Sequence, residues 1–379
     1  MIKNMIKFMT KNIFAILSLL FTVVILIISA NEFLDQHNAQ PLYPSKALTK
    51  IEKLSKYNPY LMGTNGDTDI YIFEGKEPGG KTLILGGTHP NEPAAYITTY
   101  LMLENISVSK GTVIIIPRAN NSAFTHTDPQ EGNPKYFHIK GKNGLRKFRY
   151  GSRVTNPVDQ WPDPDIYLHY PSGQKLAGSE TRNLNRSYPG IKDGTLTERI
   201  AFAIVELIKE AKINLAFDLH EAAPEYPVVN AMVSSERSQD IASEATMELE
   251  FEGLNYSLEP SPYNFHGLSH REWQDFTETF PILLETANPI QGRLRGRTDE
   301  ALLLTGKDKM YLKAVALGEL HVPYDSTGIP IRLRVGRHIA AVTKIIEVFS
   351  NNYPNKAIYI SSIPTYDEVM SFGLEKYFN

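Results

Sequence analysis

The sequence predicts an α/β fold: a three-layer domain with helices on the faces of a sheet and long loops along one edge. Three observations lead there. Short β-branched runs recur that are apolar on both faces, as inner strands covered by helices must be. Segments with helical periodicity alternate with them. Three of the apolar runs lead directly into histidine or glutamate, which suggests that chemistry gathers at the strand ends.

The elements follow in chain order. Ile13 to Ala30 is an apolar stretch of 18 residues whose only polar members are Ser18, Thr22 and Ser29. That length suffices to cross a bilayer. Lys3, Lys7 and Lys11 on its N-terminal side predict that end inside and the bulk of the chain outside the cytoplasm. Residues 1–31 therefore read as a signal anchor, or as a signal peptide cleaved after Ala30. Residues 32–379 read as one domain, opening on a polar stretch at 32–50. Thr82–Gly87 is the first buried strand and Pro93–Glu104 a helix with proline in its first turn. "TVIII" at 112–116 is the second strand. A long segment at about 119–182, rich in Pro, Gly, Asp and Tyr, shows little periodicity and reads as a functional insertion. Thr195 and Glu198 form a capping box for a helix to Lys212, with Ile200, Ile204, Leu207 and Ile208 as its apolar stripe. "NLAFDL" is a third strand ending at His220, and "FPILL" a fourth ending at Glu285. A late helix covers Arg337–Phe349.

Composition narrows the chemistry. The chain has 379 residues, 42% hydrophobic and 21% charged, as a globular protein requires. A net charge of −3 offers no basic field for nucleic acid, so no nucleic-acid partner is expected. Cysteine is absent, which excludes disulfides, thiolate metal sites and cysteine nucleophiles. Any transition metal must be held by His, Asp and Glu.

"GGTHPNEPA" places His89 and Glu92 three residues apart after the first strand. "DLHEA" places His220 after the third. Two histidines and a carboxylate are the ligand set of a catalytic zinc site. Asp218 is a partner for the His220 imidazole. Glu285 is a second carboxylate, free to act on water. Asn185 and Arg186 in "TRNLNRSYPG" can grip a substrate carboxylate, the guanidinium bidentately. Pro224 stands four residues after His220, so the helix-borne His-Glu-x-x-His site is absent.

This ordered set resembles the zinc carboxypeptidase superfamily, and its wording resembles the aspartoacylase and succinylglutamate desuccinylase branch. The resemblance runs from about Leu83 to Glu285, with Glu285 65 residues after His220. It implies a zinc carboxypeptidase-like three-layer sandwich with a central mixed sheet. It implies that residues 32–379 are the catalytic domain and that one zinc ion is held by His89, Glu92 and His220. Glu285 would be general base and then acid, and Asn185 and Arg186 would bind a substrate carboxylate. The arginine that polarises the carbonyl is best matched by Arg182, with Arg149 and Arg153 as rivals because the insertion disturbs the spacing. Tyr263, 22 residues before Glu285, stands where carboxypeptidases place a substrate-binding tyrosine.

His266 and His270 are four apart, but Gly267, Pro260 and Pro262 argue for a loop, with substrate contact or loop hydrogen bonding rather than a second metal. "DQWPDPDIYLHY" at 159–170 reads as a self-packed loop, or as a rim for an amine-bearing substrate.

The expected reaction is hydrolysis of an amide in an N-acyl amino acid or related carboxylate-bearing molecule, Glu285 moving the proton and an arginine stabilising the oxyanion. A metallocarboxypeptidase acting on peptides, such as cell-wall peptides, is the alternative. A non-catalytic binding protein on the same scaffold is the third reading. The expected partners are a small-molecule or peptide substrate and the membrane, through the N-terminal segment.

Overall fold

The computed structural model describes residues 11–379, so Lys3 and Lys7 lie outside the described residues. The chain divides into two units, one ending at Ala39 and one spanning Gln40–Asn379. The first is a helix, α1 (Ile13–His37), in which Ile13–Asp35 is long and apolar enough to cross a membrane by length and composition. The helix continues past Ala30, and none of its apolar stretch is buried.

The second unit opens with β1 (Lys50–Lys53), β2 (Asp69–Glu74) and β3 (Glu77–Leu85), then α2 (Pro93–Asn105) and β4 (Ser107–Ile116). Two hairpins follow in the insertion, β5 (Tyr136–Gly141) with β6 (Gly144–Arg149), and β7 (Ile166–Leu168) with β8 (Lys175–Ala177). The capped helix is α3 (Leu196–Ala211), leading to β9 (Leu215–Ala222) and β10 (Ala231–Ser234). Then come α4 (Gln239–Phe251), β11 (Ser257–Pro260), α5 (Ser269–Phe276) and β12 (Phe280–Ala287). Short helices α6 (Glu300–Thr305) and α7 (Lys309–Ala316) precede α8 (Ile331–Asn352), β13 (Tyr359–Ser361) and α9 (Tyr366–Phe372).

Nine strands form one mixed sheet in the order β1-β2-β4-β3-β9-β12-β10-β11, with β13 added to β4. The central β4, β3, β9 and β12 are parallel, so their carboxyl ends share one edge. Strand alternation divides the side chains into two cores. Ile84, Leu215, Phe217, Leu219, Ile282 and Leu284 pack towards α2, α4 and α8. Leu83, Leu85 and Ala216 pack towards α3, against a core that includes Trp273 of α5. Helices on both faces make the expected three layers. Asp218 and His220 share the parity of Ala216, and Glu285 lies beside His220 in register, so all three emerge on the α3–α5 face.

Several elements differ from expectation. β9 and β12 run on to Ala222 and Ala287, so His220 and Glu285 lie inside strands rather than after them. Pairing between the two strands continues there despite the polar residues. The insertion is not aperiodic, since its hairpins bury Phe137, Phe148 and Tyr167. The last long helix begins at Ile331, not Arg337. The missed turn carries Arg334, which is fully buried in an ion pair and so breaks the usual pattern of exposed charge.

The capping box at α3 forms as expected. The Thr195 hydroxyl accepts from the Glu198 backbone at 3.3 Å, and the Thr195 N–H donates to the Glu198 carboxylate at 2.9 Å. Such a cap contributes about 1 kcal/mol.

Candidate metal centre and cleft

The turn after β3 begins with two glycines. Gly87 has φ +69°, and a side chain there would collide with Phe124. The chain then makes a tight turn in which the Glu92 N–H donates to the His89 carbonyl at 3.0 Å. Glu92 occupies the N-cap position of α2 and Pro93 the first turn. Behind it, the Glu221 carboxylate accepts from the Ala94 N–H at 2.7 Å, so a neighbouring strand holds the helix start in place. Glu221 in turn forms a wholly buried ion pair with Arg334 at 2.7 Å.

His89, Glu92 and His220 meet here, all about 1% exposed, with ligand-type atoms within 4.8 Å of one another. His89 Nδ1 and His220 Nδ1 each lie 2.9 Å from a Glu92 oxygen. The opposite ring nitrogens face acceptors. Asn183 Oδ1 is hydrogen-bonded to His89 Nε2 at 2.8 Å, and Asp218 Oδ2 makes an ionic contact with His220 Nε2 at 2.9 Å that is not aligned as a hydrogen bond. Acceptors at both Nε2 atoms favour protons there and leave lone pairs on the Nδ1 atoms. Two lone pairs and a carboxylate then converge on one buried point, an arrangement that a divalent cation satisfies. The residues present therefore fit a zinc ion. Burial penalises the Glu92 charge, but the two imidazoles more than offset it and hold its pKa well below the usual carboxylate range. Burial likewise opposes charge on His220, yet Asp218 and Glu92 raise its pKa well above the ordinary histidine value, so a cation bound at Nδ1 would displace a proton there.

Glu285 faces the same cleft. Its Oε2 is buried and without a hydrogen-bond partner among the described residues. Burial pushes its pKa up to about 8. Glu221, the other carboxylate beside a candidate ligand, is tied to Arg334 and Ala94 instead.

The cleft above these groups has a volume of about 820 Å³. Asn185 and Arg186 line one wall. Asn185 Oδ1 accepts from the Ser269 N–H at 2.8 Å, and the Arg186 guanidinium lies 4.9 Å over the Phe265 ring. Burial and Arg153 together lower the Arg186 pKa to about 10, so it remains a cation at neutral pH. The insertion contributes a further part of the lining, with Asp128, Glu131 and Arg153. Arg153 reaches Glu92 at 3.1 Å.

Two expected residues fall elsewhere. Arg182 does not line the cleft. It is bound bidentately by Asp163 at 2.7 and 2.8 Å and donates to the Thr155 carbonyl. Of the three arginines weighed, Arg153 is the one in the cleft. Arg149 is buried against the Phe124 ring. The insertion's path, which spacing does not encode, decides between them. Tyr263 is 73% exposed with its ring 5.3 Å from the Arg271 guanidinium, outside the cleft; Tyr226 is the tyrosine that lines it.

The two later histidines separate. His266 pairs with Glu272 at 2.9 Å. Asp275, the third ligand type nearby, pairs with Arg271, and Glu272 also accepts from the Gly267 N–H. His270 is not in a loop as expected but in α5, where it is buried, bonded to Ser261 at 2.8 Å, and faces the cleft. The 159–170 segment stays out of the cleft and is tied to its neighbours rather than packed on itself, with Asp163 holding Arg182, Asp159 accepting from Ser122 and Trp161 exposed. Asn183 and Arg334 were not identified from sequence. Asn183 lies within "NLNR" two residues before Asn185, but nothing local marks it as a histidine partner.

No family model matches the chain, and no curated protein matches it. Several solved structures are similar to it at low identity. A succinylglutamate desuccinylase from Silicibacter sp. is 15% identical over 65% of this chain and 63% of that one, with a TM-score of 0.38. The cell shape determinant protein Csd4 from Helicobacter pylori, solved with a bound tripeptide, is 12% identical over 81% and 59%, with a TM-score of 0.44. A metallo-carboxypeptidase from Burkholderia cenocepacia is 11% identical over 85% and 68%, with a TM-score of 0.45. The chain thus spans less than two thirds of the first two.

Proposed function

We propose that the chain is a zinc-dependent amide hydrolase whose catalytic domain, Gln40–Asn379, lies outside the cytoplasm, with α1 as its membrane anchor. The substrate is an N-acyl amino acid or a related molecule with a free carboxylate. The observation that carries this reading is the convergence of two Nδ1 atoms and the Glu92 carboxylate beside a buried, unpartnered Glu285 oxygen.

His89, Glu92 and His220 hold the ion, and Asn183 and Asp218 orient the two imidazoles. Zinc, when bound, supplies a Lewis acid that polarises a carbonyl and acidifies water. Glu285 takes the proton of the attacking water and delivers it to the departing amine. Arg153 offers a guanidinium to the developing oxyanion from the insertion wall, in the role first assigned to Arg182. Asn185 and Arg186 anchor the substrate carboxylate and so align the scissile bond.

A peptide substrate, hence a carboxypeptidase, is the second reading. The width of the cleft favours it, since about 820 Å³ exceeds the needs of a small acyl amino acid. Hydrolysis of N-acyl amino acids and of short peptides by the zinc-loaded protein, with and without chelator, tests both. Chelator-sensitive release of an amino acid is expected. Turnover of neither class by the zinc-loaded protein would overturn the proposal.

A further inference from the structure

Six carboxylates line the cleft: Glu92, Asp128, Glu131, Glu221, Glu259 and Glu285. Four have partners. Glu92 is held by both imidazoles and Arg153, Asp128 by the Ser152 hydroxyl, Glu131 by Arg293 and Arg295, and Glu221 by Arg334. Glu285 is assigned to proton transfer. Glu259 remains, half-buried, with no ion pair or side-chain hydrogen bond among the described residues.

Register fixes where it stands. Across the sheet, Asp218 pairs with Leu283, Leu283 with Val233, and Val233 with Glu259. Directly opposed residues point to the same face. Glu259 therefore emerges on the face that carries His220 and Glu285, two strands beyond Glu285 and roughly 10 Å away laterally. Val233 and Leu283 form an apolar floor between them.

The same wall holds the carboxylate anchor. Ser261, two residues after Glu259, bonds His270, and Ser269 holds Asn185. A side chain at Gly267 would sit 2.3 Å from the Arg186 carbonyl, so this segment is pressed onto the anchor turn. Among the described residues, no cation of the cleft pairs with Glu259. Arg153 is on Glu92, Arg293 on Glu131, and Arg186 on the Asn185 carbonyl and near Glu180. Burial keeps His270 neutral, its pKa pushed down to about 3.

We infer that Glu259 selects the substrate's amine-side residue: this subsite takes an amino acid with a free carboxylate for Arg186 and a side-chain ammonium for Glu259. The apolar floor suits the methylene stem of such a side chain and the carboxylate its cationic tip. The inference rests on the carboxylate-anchor reading above and narrows its substrate class to basic or diamino acids.

The test compares N-acetyl-lysine with N-acetyl-norleucine, and alanyl-lysine with alanyl-norleucine, on the full-length zinc-loaded protein. Each pair differs chiefly in the ammonium. Wild type is expected to favour lysine in kcat/KM by at least about tenfold. Glu259→Gln should bring the ratio near one, and Glu259→Lys should reverse the order between lysine and glutamate substrates. Equal rates on lysine and norleucine in wild type, or an equal loss on both in Glu259→Gln, would overturn the inference. Calorimetric binding of free lysine and norleucine separates it from the hydrolase reading. If no substrate is cleaved, the hydrolase reading fails, while a lysine preference in binding that Glu259→Gln abolishes sustains the subsite. Absence of that preference defeats it.

Discussion

Asp218 offers the sharpest test of the metal centre, because its replacement by Asn changes charge and almost nothing else. The carboxylate is fully buried. Oδ1 accepts from the Thr88 hydroxyl at 2.7 Å, and Oδ2 lies 2.9 Å from His220 Nε2. In Asp218→Asn the amide oxygen can take the Oδ2 position, and the Thr88 hydroxyl can turn to accept from the amide NH2. Both contacts survive and only the negative charge behind the imidazole is lost. Groups behind metal ligands contribute roughly 10–100-fold in affinity. The isosteric change should therefore sit at the lower end, about tenfold or about 1.4 kcal/mol. Asp218→Ala also removes the acceptor that orients the ring and should reach about 100-fold, or about 2.7 kcal/mol. Competition for zinc against a chromophoric chelator measures both, with far-UV circular dichroism to confirm the fold. Wild-type zinc affinity in both variants would refute the reasoning and take Asp218 out of the support of the metal centre.

The remaining predictions concern separate links of the same argument. His220→Ala should lose bound zinc and activity together; full zinc occupancy by metal analysis would show the ligand assignment to be wrong. Glu285→Gln should keep zinc but lose at least ~10²-fold in turnover, and wild-type turnover would take Glu285 out of the mechanism. Arg186→Lys should lose most of a roughly ten- to hundredfold preference for free-acid over amidated substrate, since an ammonium cannot reproduce the planar fork; equal wild-type rates on the two forms would leave the Asn185–Arg186 pair a structural role. Arg334→Met strands the buried Glu221 charge and should destabilise the domain by about 3–5 kcal/mol in urea unfolding, a change under 1 kcal/mol being incompatible with a structural ion pair. A chain beginning at Gln36 should be soluble and bind zinc like the full chain, because the candidate ligands all lie in the unit that starts at Gln40; failure to fold would contradict that division.

Local chemistry was legible where covalent spacing alone determines geometry. His89 and Glu92 are three residues apart in a turn and must lie close whatever surrounds them. The capping box between Thr195 and Glu198 is equally local, and it forms. Strand parity places Asp218 on the face of His220, and the apolar runs identified the central strands. Prediction failed where the answer depends on segments far apart in sequence. Arg182, Arg153 and Arg149 are alike in local context, and only the route of the insertion sends one into the cleft and ties another to Asp163. Tyr263 met the spacing expectation, but its segment turns the ring onto Arg271 at the surface. Nothing local marks Arg334, because its partner, Glu221, is 113 residues away.

The sequence by itself determined the strand–helix alternation, the ordered ligand types and the absence of any thiol alternative, because these follow from residue identity and short-range periodicity. Only the tertiary structure decided that His220 and Glu285 stand side by side in register, that Asn183 backs His89, that Arg153 lines the cleft and that Glu259 has no cation beside it among the described residues. Those relations depend on strand register and on packing between segments tens to hundreds of residues apart. No local propensity records which distant charge a side chain will meet when the chain closes.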